Sequence, residues 1–255
     1  MAMNENQKIG SADRVFDIIE LVRNRDGVTV STVAEEIDSA TSTAYQYLRT
    51  IEDNGFLVEE DGKFYLSLRF LDYGGHAINR QQAHDLAKAK VKELAESTGE
   101  RAQYVVPQDG EGVVLHIISE SQAVKTGVRI GTRVPLHASA AGKAILAFLP
   151  ERELFDIIEN GKLEQYTEHT ITDPDQLLAE LEDIRDEEVA FNDQEQMDRL
   201  RAVGVPVRDP NNEIIGALSV AAPSNRFIGE TFTKEMPDLL RGMANEMELN
   251  IEYGE

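Results

Sequence analysis

Hydrogen-bonding side chains recur on one face of a helical stretch at 38–55, DSATSTAYQYLRTIEDNG. Ser42, Tyr45, Gln46 and Arg49 fall on that face at helical spacing. Their hydroxyl, amide and guanidinium groups suit the edges of bases and the phosphates of a nucleic acid. The opposite face is apolar, as a helix packed on a small core requires. We interpret the stretch as a DNA-reading helix; the alternative is an amphipathic surface helix with a polar outer face.

The ends and the charge of this stretch favour DNA reading. Ser39 is expected to cap the helix N-terminus and Gly55 to end the helix. The chain has 47 acidic residues against 25 basic ones, yet 39–51 contains no acid and Arg49 gives it a local charge of +1. Such a surface does not repel the phosphates of a duplex, whereas the rest of the chain would.

The flanking elements predict how the helix is held. Helical spacing at 11–24 and at 31–37 precedes it, with a tight turn before the last helix. After the helix, two apolar-rich runs flank Asp61-Gly62, a dipeptide typical of a hairpin turn, and Lys63 follows as a basic side chain. Helix, helix, helix and hairpin predict a winged helix-turn-helix domain over 1–72.

The middle of the chain predicts a linker. Tyr73-Gly74-Gly75 is expected to loosen the backbone, and helical spacing returns at 80–98 with an apolar face that includes Ala87, Val91 and Leu94. Such a helix either bridges two domains or pairs with its copy in a dimer. We therefore assign 73–98 as a linker and dimerisation helix.

The C-terminal part, 99–255, predicts an α+β fold. Strand-like runs come first, helices follow, and strands return before a final helix. This order is typical of a mainly antiparallel sheet with helices packed on it, and not of a doubly wound parallel sheet. Strands are expected at 102–106, 112–118, 124–137, 189–191, 203–208 and 214–221, and helices at 140–148, 151–160, 174–186 and 233–253.

A second acid-free stretch, 121–150, predicts a ligand site. It contains the bases Lys125, Arg129, Arg133 and Lys143. Within it, the small residues Ser139, Ala140 and Ala141 begin a helix, where free N–H groups favour an anion such as a carboxylate and the Ser139 hydroxyl can donate. The alternative is that the small residues only allow tight packing and that the bases pair with acids elsewhere.

Other candidate site residues give weaker patterns. Asp193 and Glu195 could hydrogen-bond a ligand hydroxyl, or they are ordinary solvated acids. Ser219 lies on an apolar strand and needs a partner there. The histidines have no i, i+3 or i+4 partners, so no metal site is expected.

The composition excludes several classes of protein. The chain has no cysteine, so it has no disulfide or thiolate nucleophile. It has no signal segment and no apolar run long enough to span a bilayer, so a soluble, cytoplasmic protein without membrane contact is expected. The net charge of −22 has two interpretations. Either the protein binds no polyanion, or it works in concentrated salt, which screens the repulsion between its acidic side chains and the phosphates of a polyanion. We favour a halophilic cytoplasm.

The chain resembles the IclR family of transcription regulators, in its acidic, haloarchaeal form. The resemblance rests on VSTVAEEI…STAYQYLRTIEDNGFL, GTRVPLHASAAGKAILA and GALSVAAPSNRF, and runs from Ser11 to Tyr253. It implies a winged helix-turn-helix, a dimerising linker helix and an effector domain similar to the GAF fold. Members act as homodimers or dimers of dimers on catabolic operons. Their effectors are small organic acids, aromatic acids or sugar-derived metabolites.

The resemblance also implies site residues. It assigns DNA contact to Ser42, Thr43, Tyr45, Gln46 and Arg49, and the wing adds Lys63. It assigns effector contact to Ala140, Ala141, Asp193, Val203, Ser219 and Ala221, beside Ser139. Gln46 stands where many members have Arg, and Val203 and Ala221 stand at positions that can be polar, so no specific ligand is implied.

The sequence therefore predicts a DNA-binding regulator whose operator affinity is modulated by a small, anionic metabolite. It uses no cofactor. Two alternatives remain open: a metabolite sensor that acts through protein partners, and an enzyme built on a GAF-like domain. Nothing in the residues supports the enzyme, because no nucleophile, triad or paired carboxylates stand out.

Overall fold

The computed structural model describes residues 9–119, 127–161 and 163–254. Its contacts divide the chain into two compact units, Met1–Arg80 and Gln81–Glu255. Among the helices of these described ranges, none combines the length and the apolar character that crossing a membrane requires.

The N-terminal unit is a winged helix-turn-helix, as predicted. Three helices enclose a core that includes Ile18, Val33, Leu48 and Phe64. The hairpin turns at Asp61-Gly62, where both residues have positive φ, as a tight hairpin turn needs. The elements are α1 (Gly10–Arg25), α2 (Val30–Glu36), α3 (Thr41–Asp53), β1 (Leu57–Glu60), β2 (Lys63–Leu66) and α4 (Arg69–Ile78).

The start of α3 differs from the prediction. Ala40 occupies the N-cap position and offers no side-chain bond, and the Ser39 hydroxyl turns to the Ala40 carbonyl instead. The end agrees with the prediction, because Gly55 follows the helix with φ of +79°. Ser39 thus precedes the cap by one residue, a boundary error of the size that sequence patterns allow.

The predicted loosening at Tyr73-Gly74-Gly75 is wrong. These residues lie inside α4, which continues to Ile78. Two adjacent glycines cost helix stability, but three apolar or aromatic residues before them, Phe70, Leu71 and Tyr73, give the helix an apolar side. Phe56 of the N-terminal unit contacts Phe70 and Tyr73 at centroid distances of 5.2 and 5.3 Å.

The C-terminal unit is the predicted α+β fold. In the part of the chain that the structure describes, its strands form one antiparallel sheet in the order β5-β4-β3-β8-β7-β6. Helices α5 and α9 cover one face of the sheet, and α6, α7 and α8 cover the other. The elements are α5 (Gln82–Thr98), β3 (Arg101–Gln108), β4 (Glu111–Ser119), β5 (Arg133–Val134), α6 (Ala140–Leu146), α7 (Glu151–Asn160), α8 (Pro174–Glu187), β6 (Ala190–Asp193), β7 (Leu200–Arg208), β8 (Ile214–Pro223) and, after a π-helical turn at Thr231–Glu235, α9 (Met236–Tyr253).

Strand β5 is much shorter than predicted. The expected strand at 124–137 is reduced to Arg133–Val134, and 124–126 lie outside the described residues. Arg129 and Thr132 form a turn instead, in which the Arg129 N–H donates to the Thr132 hydroxyl at 3.0 Å.

The apolar face of α5 is not a dimer seam. Ala87, Val91 and Leu94 are fully buried inside the C-terminal unit, against α9 and the sheet. The helix was predicted to offer this face to another domain or to a second copy. In the structure the same apolar stripe completes the core of its own unit. Helical periodicity alone cannot distinguish a stripe that faces the core from one that faces a second copy.

Candidate functional site

The polar face of α3 is open to solvent. Tyr45 is 45% exposed, Ser42 and Gln46 are exposed, and Thr43 is half-buried. The opposite face, with Ala44 and Leu48, is buried in the core. The face predicted to read DNA is therefore available to a partner.

Arg49 is less free than its sequence context indicated. Its guanidinium donates to the Tyr45 hydroxyl at 2.9 Å, pairs with Glu52 and lies 3.1 Å from a carboxylate oxygen of Glu59 on β1. The bond to Tyr45 and the pair with Glu52 raise the pKa of Arg49 above its usual range. Folding brings two acids to a stretch that looked acid-free, so the expected local charge of +1 is neutralised.

Lys63 lies on the wing of the same unit. Lys63 is exposed at the first position of β2, and its backbone pairs in register with Glu60 across the hairpin. The turn at Asp61-Gly62 therefore places one base and neighbouring acids at the same end of the hairpin.

The C-terminal unit contains a cavity of about 770 Å³ on the α6–α8 side of the sheet. Both apolar and charged side chains line it. Its lining includes Arg101, Arg133, His137, Tyr166, Met197 and Leu200. This volume lies within the size range of small-molecule sites.

The two arginines in the cavity wall have different surroundings. Arg133 pairs with Glu111 at 2.9 Å and is half exposed. Arg101 is buried at the start of β3, and burial lowers its pKa to about 10. A buried guanidinium still carries its charge at neutral pH. The lining also contains four carboxylates, Asp109, Glu111, Asp156 and Glu164, so the cavity wall carries both signs of charge.

Ser139 is committed to the local fold. Its hydroxyl donates to the Pro135 carbonyl at 2.7 Å and accepts from the Gly142 N–H at 3.1 Å. It therefore caps α6 and is not the free donor that was predicted. With seven residues in α6 and one first-turn N–H already used, the predicted anion site at this helix end loses its basis.

Some of the predicted effector residues meet and others do not. Ala140 and Ala221 pack together with Leu200 and Ala202, and Ser219 lies opposite Gly204 in register. A Cβ at Gly204 would come 2.7 Å from the Ala140 carbonyl, so α6 lies directly on β7 here. Ala141 is buried in the core beneath α6.

Asp193 and Val203 lie on the other face of the sheet. Val203 packs into the core under α5 and α9. Asp193 forms a bidentate pair with Arg201 at 2.7 and 2.8 Å, and this pair lowers the Asp193 pKa. Their neighbours Asn192 and Ala202 face α6 instead, because successive strand residues alternate between faces.

Two of the four bases of the acid-free stretch, Lys143 and Arg133, are paired, as the alternative interpretation had it, and Arg129 is exposed. Lys143 is fully buried and binds Glu195 and Glu180, and Arg133 binds Glu111. Lys125 lies outside the described residues. Across the part of the chain that is described, no cluster of three acidic, histidine or cysteine side chains is placed to hold a metal.

Two family models match this sequence. The IclR helix-turn-helix domain matches residues 11–61, and the C-terminal domain of the bacterial transcriptional regulator IclR matches residues 75–249. The second match alone spans more than half of the chain. The chain belongs to the IclR family.

IclR relatives cover the whole architecture. The probable HTH-type transcriptional regulator ArcR of Halobacterium salinarum is 31% identical over 252 residues, 97% of this chain and 96% of that one. The IclR of Thermotoga maritima is 29% identical with a TM-score of 0.82, covering 96% of this chain and 99% of its own. An IclR homologue from Microbacterium hydrocarbonoxydans, solved with 4-hydroxybenzoate, shares the fold at 22% identity and a TM-score of 0.80, over 94% and 98% of the two chains.

These matches identify the chain as an IclR-type transcriptional regulator and remove the enzyme alternative, because the matching families and relatives are regulators. The sequence-based site nevertheless did not include Arg101, which lines the cavity. Strand alternation through the buried Ala102 and Tyr104 could have assigned Arg101 and Gln103 to the α6 face.

Proposed function

We propose that this IclR regulator binds a specific DNA operator as a homodimer and that a small anionic metabolite, bound in the cavity of the C-terminal unit, changes its operator affinity. The operator controls a catabolic operon, and the protein works in concentrated salt. The exposed polar face of α3 carries the DNA-binding part of the proposal. The acidic composition and the haloarchaeal relative favour the saline setting.

The nature of the effector follows from the cavity wall. The buried Arg101 supplies positive charge on the wall that also carries the apolar Leu200 and Met197, which suits a small acid with an apolar or hydroxylated body. Arg133 is paired with Glu111, and the remaining acids of the lining, Asp109, Asp156 and Glu164, would face the other end of the ligand. The Microbacterium homologue that shares the fold was solved with one such acid. Binding that differs between two arrangements of the protein changes DNA affinity, and DNA changes effector affinity by the same factor.

Gln46→Ala is expected to weaken operator binding about five- to tenfold. A side-chain amide that pairs with a base edge contributes about 1–3 kcal/mol to discrimination, and Gln46 is exposed on α3. The measurement is a mobility-shift titration with the protein's own upstream DNA in 0.1 and 1 M KCl.

Gln176→Ala, an exposed glutamine of α8, is the matched control and leaves the titration unchanged. Equal affinity of the Gln46→Ala variant and the parent protein contradicts DNA reading by this face. In that case the winged helix serves as a docking surface for a protein partner, an alternative that the carboxylates around Arg49 would favour.

Dimerisation is supported by α4. None of the residues of this helix is buried within the described chain, and Leu71 is 70% exposed. An isolated short helix is marginal in water, so a second copy that covers Leu68, Leu71 and Tyr73 would stabilise it. Two recognition helices then meet half-sites one helical turn, or a multiple of it, apart.

Leu71→Glu is expected to convert the dimer into a monomer at micromolar concentration, because it places a charge in the apolar contact. Analytical ultracentrifugation measures the change. Asp72→Asn at the neighbouring exposed position of α4 is the control and keeps the dimer. A Leu71→Glu variant that sediments as the parent does would rule out this contact.

A further inference from the structure

Helix α7 lies between the cavity and solvent. Asp156 and Ile157 line the cavity, whereas the preceding residue of the helix, Phe155, is 46% exposed. A Cβ built on Gly110 would lie 3.7 Å from Ile157 Cγ1, which is the distance of an ordinary van der Waals contact. Helix α7 therefore lies against the turn between β3 and β4, and we call the place where Ile157 approaches Gly110 the cavity rim.

The attachment of α7 to the rest of its unit is apolar. Leu154 and Ile158 are 2% and 6% exposed and belong to the same core as the side chains of α6. Within the described residues, no hydrogen bond or ion pair joins a side chain of residues 151–159 to another element. A few apolar contacts are therefore what holds this helix over the cavity.

Helix α8, the next helix along the chain, is attached by polar contacts as well. Three of its side chains are buried. In addition, Glu180 pairs with the buried Lys143, and the Arg185 Nε atom donates to the Ala147 carbonyl at 2.6 Å. Local opening is easiest where few buried contacts hold an element in place. Of these two helices, α7 is therefore the one that separates from the unit more readily.

Charges of the same sign lie on the two sides of the cavity rim. Asp156 is on α7, Asp109 and Glu111 are on the turn, and all three line the cavity. Arg133 pairs with Glu111 at 2.9 Å and reaches Asp109 only at 3.9 Å, so it offsets one of the two charges on the turn. The remaining repulsion across the rim favours opening in dilute salt, and concentrated salt screens it.

We propose that α7 is a lid, which moves about its two ends and opens at the cavity rim to let a metabolite enter and leave. Pro150 and Gly161 border the helix, and a glycine gives the second end a wide choice of backbone angles. This inference rests on the proposed function, because it supplies the route by which the metabolite reaches the cavity. In concentrated salt the lid is closed for most of the time.

Thiol labelling measures access to the cavity, because the chain has no cysteine of its own. Leu200→Cys places a thiol on the cavity wall, at a position that is 6% exposed. Iodoacetamide is expected to alkylate this thiol about 100-fold more slowly in the folded protein than in the protein unfolded in urea. Adding Leu154→Ala removes a buried contact of α7 and is expected to raise the rate in the folded protein about tenfold or more.

The matched control for Leu154→Ala is Leu177→Ala, which removes a fully buried side chain of α8 and leaves the rate within about twofold. Equal acceleration by the two variants would mean that the thiol reacts through unfolding of the whole unit. No acceleration by Leu154→Ala would mean that α7 does not control access. Either result overturns the lid, and so does a Leu200→Cys thiol that reacts as fast in the folded as in the unfolded protein.

A second variant keeps the test open if Leu154→Ala does not fold. Asp156→Asn removes one charge at the cavity rim and is expected to slow the alkylation about three- to tenfold in 0.1 M KCl, but not in 1 M KCl, where charges are screened within about 3 Å. Glu153→Gln, at an exposed position of α7 outside the cavity lining, is its control and leaves the rate unchanged. An Asp156→Asn protein that reacts as the parent does in 0.1 M KCl contradicts opening at this rim.

Hydrogen exchange of the unmodified full-length protein gives an independent measurement. The amides of residues 154–160 are expected to exchange about 10- to 100-fold faster than those of residues 178–184 in α8, although both sets lie in helices. Equal protection of the two helices overturns the lid.

The lid and the acid effector fail separately, because none of these measurements uses a metabolite. If an acid binds but Leu154→Ala does not accelerate the alkylation, the lid is wrong and the proposed function stands. If the alkylation and the hydrogen exchange behave as expected but no acid binds, the lid stands and the acid effector is wrong.

Discussion

Lys143→Met is expected to lower the melting temperature by roughly 6–20 °C. Lys143 lies on α6, and its side chain is 0% exposed. Its ammonium donates to both carboxylate oxygens of Glu195, at 2.7 and 2.8 Å, and also pairs with Glu180. Removing one partner of a buried ion pair costs about 3–5 kcal/mol, because the other charge stays buried without compensation, and each kcal/mol corresponds to about 2–4 °C in a domain of this size. Thermal unfolding followed by circular dichroism measures the shift.

The loss of stability that Lys143→Met causes should depend on pH. Burial raises the pKa of Glu195 even with Lys143 beside it, and without the ammonium that pKa rises further. A carboxyl with a higher pKa in the folded than in the unfolded protein binds its proton first when folded, so stability increases as the pH falls through the folded-state pKa. The difference in melting temperature between Lys143→Met and the parent is therefore smaller at pH 5 than at pH 8.

Two variants control this experiment. Lys92→Met removes an exposed lysine from an i,i+4 pair with Glu96 at 3.6 Å. It is expected to change the melting temperature by about 2 °C or less, because exposed i,i+4 pairs contribute only about 0.3–0.5 kcal/mol. Adding Glu195→Gln to Lys143→Met restores part of the lost stability, since it removes the uncompensated charge. A decrease in melting temperature that is the same at both pH values, or that becomes larger when Glu195→Gln is added, contradicts a stabilising role for these ion pairs.

Glu52→Gln together with Glu59→Gln is expected to tighten operator binding at least about tenfold in 0.1 M KCl. The two carboxylates hold the Arg49 guanidinium and would face the phosphates of a bound duplex. Their removal frees Arg49 for about one more phosphate contact, which steepens the dependence of log affinity on log salt by about 0.9. In 1 M KCl the gain largely disappears, because charges are screened within about 3 Å.

The matched control for the carboxylates is Glu20→Gln with Glu36→Gln. These acids also pair with arginines of the N-terminal unit, Arg23 and Arg25, at 2.7 Å, so the control removes the same charge elsewhere. It is expected to change affinity much less than the Glu52 and Glu59 variant. Equal gains from both variants would mean that net charge alone acts and that Arg49 does not approach the DNA.

The architecture was readable from the sequence because its signals are local and strong. The stripe of Ala44, Leu48 and Ile51 and the turn at Asp61-Gly62 each follow from a period or a dipeptide. The order after Arg101, strands first, then helices and then strands again, was enough to predict the antiparallel sheet. The glycines at 74 and 75 misled the prediction, because their low helix propensity is outweighed by apolar neighbours in α4.

The site was harder to predict because it depends on which residues meet. Val203 and Asp193 are one position away from Ala202 and Asn192, and on a strand one position reverses the face. The carboxylate of Glu59 reaches Arg49 from the wing, a contact between separate elements that composition along the chain cannot reveal. Lys143 was read as part of a basic stretch, yet its two acidic partners come from α8 and from the loop after β6.

During synthesis on the ribosome, β3 cannot form its pairing with β8 until β8 has been made. Arg101 pairs with Ala221, so the central strand of the sheet keeps one edge open until nearly the entire polypeptide has left the exit tunnel. The N-terminal unit is contiguous in sequence and emerges first, in the order in which domains fold during synthesis. A premature stop codon before Ile214 would therefore yield the winged helix-turn-helix unit joined to an unfinished sheet, whose open edge invites aggregation.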